Sequence, residues 1–227
     1  MKNKLIKLNL GCGKDIKKGF LNIDSFEHAN HKLDIKTDLA KKIPVISNSA
    51  DFAYSAHFLE HLDWIRADFF LKEVLRVLKK GGKLRILVPD YEKIFKNYAK
   101  DNKKFFIDIK NYLNNIDYKY YKKILSNRPL VKKQRVKNPP PKWHFSKKPE
   151  DVYKVRLRAK RFNTTMQVLN WLTHQHGEHL TLYDFQTIKQ IMKKIGFKKI
   201  KKTSYKSTID AKSNIRKLVS LCIEAYK

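Results

Sequence analysis

Leu8-Asn9-Leu10-Gly11-Cys12-Gly13 follows a short apolar run opened by Leu5 and Ile6, and the reading works outward from it. A strand that runs into Gly-x-Gly turns sharply, and the missing β-carbons let a ligand approach the backbone. Alone, the motif is equally an ordinary tight turn. The residues behind it change its weight. Phe20-Leu21-Asn22-Ile23-Asp24 is a second short strand ending in a carboxylate. In nucleoside-binding αβ folds an acid at that tip accepts hydrogen bonds from ribose hydroxyls, which suits an acceptor-only group. Taken alone, Asp24 is also a turn or helix cap. Asp38-Leu39 precedes Ile43-Pro44. An acid there either accepts from an adenine amino group or caps a short turn.

The rest of the chain reads as further αβ units. Leu5–Leu10, Phe20–Ile23, Lys32–Ile35, Asp51–Ala56 and Lys83–Val88 are strand candidates. A helix is expected from about Asp63 to Lys79, with Ile65, Phe69, Leu71, Val74, Leu75 and Leu78 near helical spacing. Asp63 caps its start and Gly81-Gly82 ends it. Residues 91–180 differ, being rich in Lys, Tyr, Phe and Asn. Helical patterns appear around Tyr91–Lys100 and Lys104–Leu125, and Asn138-Pro139-Pro140-Pro141 forbids regular structure. This stretch is read as a helical insertion or lid, because αβ patterning resumes after it. Asp184 caps a helix carrying Phe185, Ile188, Ile191, Met192 and Ile195, which Gly196 ends; Phe197–Tyr205 and Val219–Tyr226 are the last strands.

Composition sets outer bounds. The 227 residues fit one domain, and 42% hydrophobic content supports an ordinary core. No run approaches a membrane span, and the lysine-interrupted start reads as a strand rather than a signal peptide. Two distant cysteines suggest a reduced, cytoplasmic setting. The net charge of +30 comes from 42 lysines and 9 arginines, the lysines spread along the chain. A+T-rich codons produce such a lysine excess without any binding role. Arg128, Arg135, Arg156, Arg158 and Arg161 are a local bias that codons do not explain. With Trp143, His144, Phe145 and Tyr153 interleaved, that segment suits phosphates of a substrate or of nucleic acid, or is a solvated surface helix.

Together, Leu8–Gly13, Asn22-Ile23-Asp24, Leu59-Glu60-His61-Leu62 and Val77-Leu78-Lys79-Lys80-Gly81-Gly82 resemble the class I S-adenosylmethionine-dependent methyltransferases. They look most like the small type 11-like group often associated with surface-glycan genes. Gly177-Glu178-His179, Tyr183-Asp184, Gly196-Phe197 and Ser220–Ala225 resemble that group's closing blocks, while residues 91–175 match nothing in it. The resemblance implies a Rossmann-like three-layer α/β sandwich over residues 1–227, with a helical insertion after the fifth strand. It implies S-adenosyl-L-methionine as cofactor, with Asn9, Gly11, Cys12, Gly13, Asp24, Asp38, Leu39 and His57 as the residues around it. Gly11 and Gly13 would approach the methionine part, Asp24 the ribose, Asp38 with Leu39 the adenine, and His57 the sulfonium side. Asn9 stands where the family usually has an acid. Only Lys14–Gly19 separate the loop from the second strand, so the first crossover helix is absent or a single turn.

Methyl transfer to an alcohol or phenol benefits from a base with a pKa near neutrality. His57, His61, His144, His174, His176 and His179 are candidates. His179 is preferred, beside Tyr183; His57 is second, and His61 is read as structural. The 174–179 cluster also admits a divalent metal or a plain solvated loop, and no metal site is assigned. The expected activity is methyl transfer to an oxygen or nitrogen of a small or glycan-like acceptor, with an anionic one favoured by the arginines. The alternatives are an RNA or protein methyltransferase docking through the basic segment, or a non-catalytic nucleic-acid-binding module with a degenerate cofactor site.

Overall fold

The computed structural model describes residues 5–27, 31–113, 162 and 164–227. The proline run, the arginine segment up to Arg161 and His144 lie outside them, as does the side chain of His176. Seven strands form one sheet: β1 (Lys7–Leu10), β2 (Leu21–Asp24), β3 (Ile35–Lys36), β4 (Ala50–Ala56), β5 (Leu78–Pro89), β6 (Lys198–Thr203) and β7 (Ser220–Tyr226). Their order is β3-β2-β1-β4-β5-β7-β6. The first five run parallel to their neighbours, and β7 lies antiparallel between β5 and β6. The link from β1 to β2 is made of turns alone, as its length demands.

Strand periodicity divides the sheet into an apolar face and a second face that mixes polar side chains with a small cluster of Tyr54, Leu87 and Cys222. On one face Leu8, Leu10, Ile23, Ala53, Leu84, Ile86, Leu221, Ile223 and Ala225 join the main core. That core is closed by α1 (Trp64–Val77) and by α4 (Phe185–Ile195), which contributes Ile188 and Met192. On the other face, register places Asn22, Asn9, Tyr54, Arg85 and Glu224 in one row across five adjacent strands. Arg85 is 1% exposed. Its Nε donates to Asp210 Oδ1 at 2.8 Å, and its Nη2 reaches Asp210 Oδ2 and the Ser204 carbonyl. Nη1 donates to Thr203 Oγ1 at 2.9 Å and Glu224 Oε1 at 3.2 Å, so all five donors are matched. Residues 204–210 therefore lie over this face as an ion-paired loop, followed by the short α5 (Asn214–Val219).

Helix boundaries follow caps. Asp63 accepts from Arg66 N at the start of α1, and Asp184 accepts from Thr187 N at 2.7 Å at the start of α4. Gly196, at φ +117°, closes α4 in the left-handed conformation. Two expectations for α1 are corrected. The helix ends at Val77 rather than Lys79, because Leu78 already pairs with Ala50 as part of β5. Gly81-Gly82 shape a bulge within that strand, where a β-carbon on Gly82 would fall 2.8 Å from the Lys79 carbonyl oxygen. The buried stripe is Ala67, Phe70, Leu71, Val74 and Val77, whereas Ile65 is 84% and Phe69 40% exposed. Spacing offers several overlapping stripes, and the exit into β5 selects the one that faces the sheet.

The remaining helices are α2 (Tyr91–Ala99), capped by Asp90, and α3 (Thr165–His174). Residues 103–113 are helical and bury Phe105, Phe106, Ile109 and Leu113. The chain divides into two compact units, residues 1–100 with 171–227, and residues 101–170. Every strand and the site described next belong to the first. Among the described residues no helix is long and apolar enough to cross a membrane.

Candidate active site

In the parallel part of the sheet, β1 is the strand whose neighbours β2 and β4 leave in opposite directions, the position at which open αβ sheets hold ligands. Gly11 and Gly13 turn there with φ +65° and +51°. A β-carbon on Gly11 would meet the Phe58 ring at 2.3 Å, so this glycine lets the turn after β4 pack against the loop. Gly13 differs: nothing lies within 4 Å of where its β-carbon would be. Its N–H donates to Asp24 Oδ2 at 2.8 Å, tying the loop to the acid at the tip of β2. Asp24 Oδ1 accepts from Ser25 N at 2.7 Å. Cys12 is buried, and burial, aided by the Asp24 charge, pushes its thiol up to about 12. It stays protonated at neutral pH and offers the site its backbone rather than a nucleophile.

The helix-free crossover is held by two buried asparagines. The Asn9 amide donates to the Asp15 carbonyl at 2.7 Å and to Asn22 Oδ1 at 2.9 Å. Asn22 Oδ1 also accepts from Lys17 N, and its amide donates to Asp34 Oδ2 at 2.9 Å. Asn9 thus uses its side chain inside the fold, on the polar face. Asp38 Oδ1 accepts from Ala40 N at 3.0 Å and caps a turn, and its Oδ2 lies 3.9 Å from the exposed Lys41 Nζ. The side chain of Leu39 belongs to the main core.

At the end of β4, His57 has φ +53°, an unusual value for a non-glycine residue. Its ring bridges Glu60 Oε1 at 3.1 Å and Ser220 Oγ at 2.8 Å. Glu60 is fully buried, and burial alone would raise its pKa; the hydrogen bond and charge of His57, with His61, hold it below the usual range. The Glu60 carbonyl accepts from Leu180 N and Thr181 N, and Thr181 Oγ1 donates to the Leu62 carbonyl at 2.7 Å. These bonds bring His61 and His179 to ring centroids 5.1 Å apart. His61 Nδ1 faces the Glu178 carbonyl at 3.0 Å, and His179 Nδ1 faces the Leu172 carbonyl at 3.0 Å. A carbonyl only accepts, so both rings donate through Nδ1, and in the neutral form of each ring Nε2 keeps the lone pair. Tyr91 also donates to the Leu172 carbonyl and lies 2.9 Å from His179 Nδ1. Burial lowers the pKa of His179, which is therefore neutral at pH 7. Tyr183 is 1% exposed against Trp64, and burial pushes its phenol up.

Residues 8–86 match the family model described as methyltransferase domain. The matched stretch holds the glycine loop, Asp24 and the turn that carries Glu60 and His61. The fold of the chain is similar to that of a methyltransferase from Archaeoglobus fulgidus, at 16% identity and TM-score 0.50 over 100% of this chain and 87% of that one. A methyltransferase from Thermotoga maritima is 13% identical, with TM-score 0.48 over 98% of this chain and 82% of its own. No curated protein matches the sequence. S-adenosylmethionine is the cofactor that the sequence resemblance implies. The residues at this edge fit it: a glycine turn with open space at Gly13, beside a carboxylate that Gly13 holds in place and that can only accept.

The methyltransferase fold thus gathers most of the residues singled out in sequence, in two groups. Gly11, Cys12, Gly13 and Asp24 surround the loop, while His57, His61, His179 and Tyr183 meet around Glu60. His174 stands apart, its Nδ1 2.8 Å from Thr173 Oγ1. Glu60 and Tyr91 were not candidates. The signal for Glu60 was present in Leu59-Glu60-His61-Leu62, an acid between leucines that a short turn buries. Nothing local marks Tyr91, which takes its role from residues far along the chain.

Proposed function

We propose that the chain is an S-adenosylmethionine-dependent methyltransferase that transfers a methyl group to an oxygen or nitrogen of a small or glycan-like acceptor, with an anionic acceptor favoured. The observation that carries the reading is the bond from Gly13 N to Asp24 Oδ2, which joins an open glycine turn to a ribose-type acceptor. In it, the backbone of Gly11, Cys12 and Gly13 lines the methionine side, Asp24 accepts from the ribose hydroxyls, and Asp38 Oδ2 with Leu39 borders the adenine. Asn9 serves by holding the crossover rather than by contact. When bound, the cofactor supplies a methyl group on a positively charged sulfur, and the chain has to orient the acceptor and deal with its proton. Both ring nitrogens of His57 are engaged, so it positions the turn. The free lone pair of His179 Nε2 receives the acceptor's proton. Tyr183 is too strongly held as a phenol to act as a base, and it backs the cluster. Residues 101–170 are read as an elaboration of one methyltransferase domain, the arginines in its sequence selecting for negative charge.

Titration calorimetry with S-adenosylmethionine and its demethylated product tests the reading. Micromolar binding is expected, weakened ~100-fold in Asp24→Ala, as for loss of charged hydrogen bonds. No binding of either compound to the folded chain would overturn it. Transfer of labelled methyl to fractionated small molecules, against RNA or protein fractions, identifies the acceptor class.

A further inference from the structure

Glu60, His61 and His179 each present one ligand atom, and the three atoms lie within 4.8 Å of one another. Glu60 is fully buried, its Oε1 is engaged by His57, and its Oε2 has no hydrogen-bond partner among the described residues. A buried carboxylate oxygen left this way is costly, and such groups are usually satisfied by something. The two imidazoles are arranged alike. Each donates Nδ1–H to a backbone carbonyl, of Glu178 and of Leu172, leaving Nε2 as a fixed lone pair. Imidazoles around metal ions are oriented by this kind of bond on the far nitrogen. The short turn Leu59–His61 and the 178–181 stretch are stitched together by the Glu60 carbonyl, so the three groups are held by backbone as well as side chains. Both histidines are partly exposed, which leaves a route for an ion.

We propose that a carboxylate oxygen of Glu60 and one ring nitrogen each of His61 and His179 form a binding site for a divalent first-row transition ion such as zinc, manganese or iron. Two imidazoles and one carboxylate form a set that leaves coordination positions open for water or substrate. Ligand atoms must come to ~2.0–2.2 Å from the ion, so small rotations of the two partly exposed rings close the site. This site differs from the 174–179 histidine cluster in sequence, since two of its three ligands come from the Leu59–His61 turn after β4. Placing the acceptor on the open position rests on the function proposed above; the ion site itself rests only on these atoms. With an ion bound, His179 acts on the acceptor as a ligand. An acceptor hydroxyl on the open position then loses its proton to solvent, because the cation stabilises the oxyanion. Without an ion, His179 Nε2 is left to take that proton directly.

The test uses the full chain, stripped with a chelator and titrated with Zn(II) by calorimetry and with Co(II) by visible absorption. One equivalent is expected, with intense Co(II) bands of a low-coordinate site. His61→Asn and His179→Asn should each weaken binding more than ~100-fold, exceeding the usual effect of outer-shell partners. Glu60→Gln should do the same, and His174→Asn should leave binding unchanged. Circular dichroism and cofactor calorimetry establish that each variant is folded; if Glu60→Gln unfolds, the two imidazole variants decide. Failure of the wild-type chain to bind either ion, or full binding by the His61→Asn/His179→Asn double variant, would overturn the inference. Cofactor binding without ion binding defeats this inference alone. Ion binding without cofactor binding defeats the proposed function alone.

Discussion

Beneath α1 and α4 the sheet offers Leu8, Leu10, Ile23, Leu84 and Ile86; on the opposite face the same strands set Asn22, Asn9, Tyr54, Arg85 and Glu224 side by side. The first face is closed by helices whose backbone groups are already satisfied, so non-directional apolar contact suffices. The second has no helix in the β1–β2 crossover, and loops cover it instead. A loop brings unsatisfied backbone and polar groups with it, and the strands answer with amides and charges. Asn9 and Asn22 take up the 15–17 turn, and Arg85 takes up the 204–210 loop. Shortening the first crossover thus changes what the neighbouring strands must carry. The apolar face tolerates imprecise packing; the polar face works only when each partner is present.

The largest break in this comparison is expected from Asp210→Ala, which leaves the Arg85 guanidinium buried and half-paired. A loss of about 3–5 kcal/mol in denaturant unfolding follows from removing one partner of a buried pair. Replacing Arg85 and Asp210 together by Met and Leu should recover most of that loss, because both charges go. Gly11→Ala comes next, at about 2–4 kcal/mol, from a left-handed φ and collision with Phe58. Gly13→Ala meets no atom and should cost stability less while weakening the cofactor in calorimetry, separating packing from binding within one loop. Asn9→Ala removes two hydrogen bonds and should cost about 1–3 kcal/mol, with faster amide exchange in 14–19.

The same face also responds to pH. Burial opposes the charge of Glu224, but hydrogen bonds from Lys206 and Lys83 hold its pKa down from 4.5 to about 2. A carboxylate lowered on folding contributes stability above its unfolded value, and that contribution is lost as pH falls from about 4.5 toward 2. Urea midpoints at pH 7, 4.5 and 3 should therefore fall less steeply in Glu224→Gln than in the parent. Variants on the apolar face, such as Leu71→Ala, should lower every midpoint without changing the slope.

Much of this was legible locally. Asp63 and Asp184 as caps, Gly196 as a stop and the alternating runs of β1, β2 and β4 are short-range signals, and the structure has each of them. The count of residues after Gly13 limited the first crossover to at most a single helical turn. Other features were not local. The helical spacing in α1 admitted Ile65 and Phe69 to the core, and only the exit into β5 turned them outward. Asn9 reads as a weakened acid of the cofactor loop until Asp15 and Asn22 are seen to occupy its amide. Arg85 resembles any surface cation among 51 basic residues until Asp210 and Glu224 arrive from the far end of the chain.

The sequence by itself determined the order of strands and caps, the glycine turn and the acid behind it, because each depends on neighbours within a few bonds of chain. The tertiary structure alone decided which helix face is buried, which polar groups replace the missing helix, and that Glu60, His61 and His179 meet. Those outcomes depend on burial and on partners distant in sequence, where a side chain's role is set by what removes it from water.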